Sequence, residues 1–261
     1  MRMSSIARQT VVVMSLCLSG AAAQAQQRSE PFQPESGQAG KDVVWVPTPP
    51  EMVEAMLDLA KVTPQDFVMD LGSGDGRNII AAARRGARAL GVEYNPDMVG
   101  LSKRLATEAG VADISQANVL ALFLLPTNML QLRSKFLDLQ PGSRIVSNTF
   151  SIEGWTADEM VTLPNCSSWC TALLYIVPAK VAGTWRVPQG ELVLKQEFQM
   201  VTGTLTSGTQ STPVTGRLRG PQITLSFGGQ ELTGRVNVNA IEGTLRSGSA
   251  QNNWTATRAG S

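Results

Sequence analysis

The run Val68-Met69-Asp70-Leu71-Gly72-Ser73-Gly74-Asp75-Gly76-Arg77 decides how this 261-residue chain is read. Residues Asp66 to Leu71 form an apolar stretch of strand length, and helix-forming residues follow from Arg77 to Arg85. Between them stand three alternate glycines, Gly72, Gly74 and Gly76. Such a strand-to-helix turn presents backbone N–H groups that a ligand can approach without meeting a Cβ. A dinucleotide turn has the form Gly-x-Gly-x-x-Gly, with the pyrophosphate resting on the helix end. Here the third glycine comes one position early and Asp75 stands in the turn, where a carboxylate repels a diphosphate and favours a cation.

Outward from the turn the pattern stays α/β. Ala87 to Val92 reads as a strand, Pro96 to Ala109 as a helix capped by Asn95, and Val119 to Leu125 as a strand. Met129 to Leu139 reads as a helix and Ser143 to Ser147 as another strand. Strands alternating with helices predict a parallel sheet covered on both faces. A second acid, Glu93, closes the strand after the turn, at the same C-terminal edge where open α/β sheets bind ligands.

An acid at the end of the first strand, the Gly72-x-Gly74-x-Gly76 turn and Glu93 after the next strand together resemble the cofactor site of class I S-adenosylmethionine-dependent methyltransferases. The resemblance implies that Asp70, Gly72, Ser73, Gly74, Asp75 and Gly76 pass under the methionine part of the cofactor. It implies that Glu93 accepts hydrogen bonds from the ribose hydroxyls. Trp45 to Val53 is similar to the segment before the turn in bacterial methyltransferases related to the small mitochondrial lysine enzymes. Thr48 in that segment is read either as a cofactor contact or as a helix cap, with Pro49 or Pro50 and Glu51 completing a capping box. Ala121 to Pro126 and Leu139 to Ser147 match the fourth and fifth strands of the family. Leu124, Leu125 and Pro126 are then expected beside the transferred methyl, although an apolar run in a parallel sheet is ordinarily core. None of the three is an acid or a base, and no catalytic base is named.

The family fits a third strand between Glu93 and the strand near Val119, followed by an acid that bonds the adenine. Only about 25 residues are available here, and after the helix come Gly110 to Ala117 with no strand among them. Asp113 is the remaining candidate for the adenine. Losing one charge-assisted hydrogen bond costs about 1.5 to 3 kcal/mol. The predicted fold is thus a Rossmann-like methyltransferase sheet over 42–186, lacking the third strand.

After Trp185 helical periodicity disappears. Short strand-like runs such as Glu191 to Phe198 and Gln222 to Phe227 are separated by Gly, Ser, Thr and Pro. Gly203, Gly216, Gly234 and Gly243 recur in similar fragments at uneven spacing, which argues for an up-and-down antiparallel unit with glycines at bends or bulges. Residues 187–261 are read as a small antiparallel all-β domain. Trp185 and Trp254 read as its core rather than a sugar-stacking pair, and Arg217, Arg219 and Arg235 as a solvated strand face.

Residues 1–25 read as a secretory signal peptide, with Arg2 and Arg8, an apolar run and Ala23-Gln24-Ala25, and 26–41 as a flexible linker. The expected protein is exported, periplasmic or secreted, with no stable membrane insertion after cleavage. Losing Arg2 and Arg8 takes 22 basic residues to 20 against 21 acids, a net charge of −1, so no nucleic-acid partner is expected. In an oxidising compartment Cys166 and Cys170 suggest a short-loop disulfide, the alternative being two free thiols. The chain has no histidine, which removes Ser-His-Asp triads and histidine-liganded metal centres. Two functions follow. One is a methyltransferase acting on an unknown acceptor, with resemblance pointing to a protein lysine. The other is a non-catalytic envelope protein that keeps the scaffold and binds a partner through its β domain.

Overall fold

A computed structural model describes residues 32–40, 44–108 and 118–260. The expected signal peptide, linker residues 26–31 and 41, the segment at which the third strand was sought (109–117) and Asp113 within it lie outside the described residues. Helix α1 (Pro50–Leu59) is followed by β1 (Phe67–Leu71), α2 (Arg77–Arg84), β2 (Arg88–Val92) and α3 (Pro96–Glu108). Next come β3 (Val119–Leu122), α4 (Pro126–Leu137), β4 (Arg144–Asn148), β5 (Glu159–Thr162) and β6 (Thr171–Ile176). These six strands form one sheet in the order β2-β1-β3-β4-β6-β5.

The first four strands are parallel, but β6 runs antiparallel to both β4 and β5. The expectation of a wholly parallel sheet is corrected accordingly: β5 is a short edge strand whose residues alternate between half-buried and exposed, and its apolar signal is weak. Strand β3 stops at Leu122, short of the expected Leu125, because Pro126 opens α4 with Leu125 as its N-cap. Helix α1 has Pro49 at its N-cap and no side-chain cap bond, so the capping box expected around Thr48 and Glu51 does not form.

Strand alternation sorts the core into two layers. Val68, Val119, Ala121, Val146 and Leu174 pack on one face beneath Met52, Met56 and Leu57 of α1 and Ala82 of α2. Leu120, Leu122, Ile145, Leu173 and Tyr175 pack on the other beneath Met129 and Phe136 of α4. Each fully buried side chain of this size contributes about 1.5 to 3 kcal/mol, which fixes the register and with it the direction in which the strand ends point. No helix among the described residues is long and apolar enough to cross a membrane.

The remaining strands are β7 (Gly183–Val187), β8 (Gly190–Glu197), β9 (Met200–Ser207) and β10 (Gln210–Arg219). They continue as β11 (Gln222–Phe227), β12 (Gln230–Asn237), β13 (Ala240–Ser247) and β14 (Ala250–Arg258). All eight close into an antiparallel barrel in which sequence neighbours pair and β14 returns to β7. The β unit therefore begins at Gly183 rather than at 187, since β7 pairs with both β8 and β14. Trp185, Leu192, Leu218, Leu232, Ile241 and Trp254 fill its interior, so the barrel has a packed core. The two indoles are satisfied there: Trp185 Nε1 donates to Val181 O at 2.8 Å and Trp254 Nε1 to Gln189 Oε1 at 3.0 Å.

The barrel is seated against the sheet. The ring of Phe198 stacks on Trp155 with centroids 5.7 Å apart, and Gln199 Nε2 donates to Thr156 O at 2.7 Å. Arg217 pairs with Asp158 at 2.9 Å, and Arg219 pairs with Glu159. The Asp158 side chain is wholly buried and also accepts from Ile176 N at 2.8 Å. Arg217 and Arg219 are exposed, as expected of a solvated strand face, and in addition are bound to carboxylates at β5.

Candidate functional site

The turn after β1 is stitched to the end of β2. Gly72 N and Ser73 N both donate to Val92 O, at 2.8 and 3.0 Å. Ser73 is buried under Gly91, where an added Cβ would stand 2.5 Å from Ser73 Oγ. Beyond Val92 the chain turns so that Glu93 faces the loop: Gly74 N donates to Glu93 Oε2 and Asn95 N to Oε1, both at 2.9 Å. Both carboxylate oxygens are therefore fixed by backbone N–H groups.

Glu93 lines a cavity of about 390 Å³ together with Gly72, Asn95, Trp45, Phe123 and Leu124. That volume lies in the range of small-molecule sites. Glu93 is the charged residue of its lining among the described residues, which suits a ligand that is cationic and largely apolar. A Cβ at Gly72, whose φ is +76°, would touch Leu124 at 3.6 Å, so these two residues meet at the cavity wall. The residues present thus fit an adenosyl sulfonium: a fixed carboxylate, a bare glycine and apolar walls.

The other expected site residues are placed elsewhere. Asp75 is held by Arg77, with Nη2–Oδ2 at 2.6 Å and Nε–Oδ1 at 3.0 Å, and it lines a different cavity beside Pro50 and Ile80. It is a clamp on the turn, not a carboxylate offered to a cationic ligand, and this corrects the expectation drawn from its charge alone. The same Arg77 donates through Nη1 to Thr48 O at 2.7 Å, so buried Thr48 serves the clamp through its backbone. Gly76 faces α3, where a Cβ would lie 2.1 Å from Ser102 Oγ. Asp70 is buried and accepts from Asn78 Nδ2 at 2.9 Å. Burial pushes its carboxyl up to about 8; the Asn78 bond acts the other way, and the charges of Glu93 and Asp75 add to the rise.

Sequence reasoning missed the contribution of Gln38 to this cavity. Gly37 N donates to Trp45 O at 2.8 Å and Trp45 N to Gln38 O at 2.9 Å, and Gln38 lines the cavity, although residues 26–41 read as flexible. The signal available was the nearness of Gln38 to Trp45, which opens the segment already read as similar to the family. Trp45 lies against Gly74, where a Cβ would stand 2.5 Å from Nε1 at a φ of +55°. Gly74→Ala is expected to cost about 1 to 3 kcal/mol and to expose the indole, seen as a lower urea midpoint with red-shifted tryptophan emission.

Also missed was a ring cluster: Phe123, Phe150 and Trp169 lie with centroids 5.5 to 5.9 Å apart. Trp169 sits in the loop closed by a disulfide between Cys166 and Cys170.

Comparison with known proteins finds relatives by sequence. A family model, the ANTKMT methyltransferase domain, matches residues 70–159. A protein-lysine N-methyltransferase of Saccharolobus islandicus strain REY15A is 37% identical over 151 residues, taking in 52% of this chain and 94% of that protein. The adenine nucleotide translocase lysine N-methyltransferase of Mus musculus is 34% identical over 128 residues, 43% of this chain and 56% of that protein. The chain thus spans little more than half the length of the mouse relative. The crystal structure of an RNA methyltransferase from Salinibacter ruber in complex with S-adenosyl-L-homocysteine is 40% identical, with a TM-score of 0.48, covering 52% of this chain and 96% of that one. The matched family residues end at 159, before the barrel begins.

Proposed function

Because the chain belongs to the class I S-adenosylmethionine-dependent methyltransferases, we propose that it methylates a lysine side chain of a protein. The observation that carries the reading is Glu93, both of whose oxygens are fixed by Gly74 N–H and Asn95 N–H at the wall of a cavity of about 390 Å³. A carboxylate held in this way needs no reorganisation to accept the two hydroxyls of a ribose. Gly72 and Ser73 lie beside it in the turn, Leu124 touches Gly72, and these are the residues we assign to the cofactor.

The cofactor supplies a methyl group already attached to a good leaving group. What remains for the protein is to bind, align and exclude water. Leu124 and Phe123 form an apolar wall at the end of β3, and an amine brought there meets no competing nucleophile from these side chains. The lysine methyltransferases of Saccharolobus islandicus and the mouse support a protein amine as acceptor. The Cys166–Cys170 disulfide supports placing the enzyme outside the cytoplasm, where such bonds persist.

Calorimetry of the protein with S-adenosylhomocysteine tests the assignment. Binding to the unaltered protein is expected, with Glu93→Ala weaker by about tenfold to a hundredfold, the loss of a charge-assisted hydrogen bond. Absence of binding at millimolar ligand, or identical binding by the two proteins, overturns it.

A further inference from the structure

Resting on the methyltransferase reading, we propose that Phe123, Phe150 and Trp169 form the seat for the acceptor's alkylammonium side chain, with the Cys166–Cys170 bridge holding Trp169 in place. The three rings come from three separate segments: the end of β3, the turn after β4, and the disulfide loop between β5 and β6. Phe123 and Phe150 are nearly parallel, 18° apart, and Trp169 stands at 63° and 51° to them. Phe123 also lines the cavity that holds Glu93, so the cluster and the cavity share a wall.

The chain holds these rings at a conformational cost. Trp169 has a φ of +58° and is 37% exposed, an expensive place for a large apolar side chain. The disulfide closes its loop, and Leu163 N donates to Cys170 O at 2.8 Å behind it. Thr149, before Phe150, has a φ of +63°, unusual for a β-branched residue. Its neighbours secure the turn: Phe150 N donates to Asn148 O at 2.7 Å, and Ser147 Oγ donates to Phe150 O at 2.8 Å. Asn148 is fully buried, and its Nδ2 has no partner among the described residues. Two strained residues and an orphaned amide beside two half-buried rings and one exposed ring mark a functional site rather than a core.

Aromatic faces suit one acceptor chemistry in particular. Ring quadrupoles attract an alkylammonium and so bring the side chain to the rings in its charged form. The proton passes to solvent at the exposed side of Trp169. The freed lone pair then forms the N–C bond to the methyl carbon, the C–S bond breaks with its pair kept on sulfur, and the positive charge moves from sulfur to the methylated nitrogen.

The test uses the full chain saturated with S-adenosylhomocysteine and two short peptides. One carries trimethyl-lysine and the other its uncharged tert-butyl isostere, and binding is read by calorimetry. The charged peptide is expected to bind about tenfold more tightly, the range of a desolvated cation over aromatic rings. Trp169→Ala is expected to remove that preference, Trp169→Phe to restore most of it, and Cys166→Ser with Cys170→Ser to weaken it, all with S-adenosylhomocysteine affinity within about twofold of the unaltered protein. Equal or absent binding of the two peptides, or an unchanged preference in Trp169→Ala, overturns the seat while leaving the cofactor reading intact. A parallel loss of S-adenosylhomocysteine affinity in Trp169→Ala also overturns it, by placing the ring in the cofactor site. Failure of S-adenosylhomocysteine to bind the unaltered protein defeats the underlying methyltransferase reading instead.

Discussion

Between pH 5 and pH 8 the unfolding midpoint is expected to fall steadily, and Asp70→Asn is expected to flatten that fall. Asp70 is 3% exposed, and burial drives its carboxyl up to about 8 from an ordinary 3.8. The folded state therefore binds more protons than the unfolded chain across that window. The stability associated with the neutral carboxyl is fully present below the unfolded value and is lost as pH rises through the folded one. The slope approaches about 1.4 kcal/mol per pH unit, on the order of 3 °C per unit for a chain of this size. The chain has no histidine, so few other groups titrate in the same interval. Asn keeps the shape of the side chain and can still bond Asn78, while removing the charge that must be buried at high pH. Circular dichroism melts of both proteins at pH 5, 6, 7 and 8 decide the matter. Parallel profiles count against a neutral Asp70, and a variant more stable than the parent at pH 8 is the expected result.

Gly243→Val is expected to abolish the closed barrel. Gly243 lies opposite Gly234 on β12 and Trp254 on β14. A Cβ there would stand 2.3 Å from Thr233 O and 2.5 Å from Gly234 Cα, both backbone atoms of the neighbouring strand. No side chain can swing aside to relieve the clash, so β12 and β13 must separate. The cost is expected to exceed about 4 kcal/mol, at the extreme of what single substitutions do. Glu242→Val, one residue away at an exposed position, serves as the control and should change stability by no more than about 0.5 kcal/mol. Soluble yield and urea midpoints of the two variants measure the difference, and equal midpoints would remove the close-approach argument. Gly216, with a Cβ 2.2 Å from Thr224 O, belongs to the same pattern. The recurring glycines read from the sequence as bends or bulges are places where adjacent backbones come together.

What could be read in the sequence was what is local. The glycine turn, the two acids at strand ends and the alternation of strand and helix all sit within short windows, and each carries its own chemistry or period. Asp75 was misjudged although its partner was two residues away, because charge alone does not say whether Arg77 folds back upon it. Gln38 was lost because a Gln- and Gly-rich stretch has no apolar period, yet two backbone hydrogen bonds tie Gly37 and Gln38 to Trp45 at the cavity wall. Phe123, Phe150 and Trp169 lie far apart along the chain and meet only once β4, β5 and β6 are ordered, a long-range pairing no pattern displays. Barrel closure rests on two residue pairs, Thr257 with Arg186 and Arg258 with Trp185, joining strands some seventy residues apart.

The seating of the barrel on β5 bears on how this protein could be dissected. The Saccharolobus relative is nearly whole within half of this chain, which invites trimming the barrel away. Doing so would leave Asp158, sealed from water, without its guanidinium, and would strip Trp155 of the ring laid on it. A fragment that stops before β7 is therefore expected to be less stable than the same residues within the whole chain.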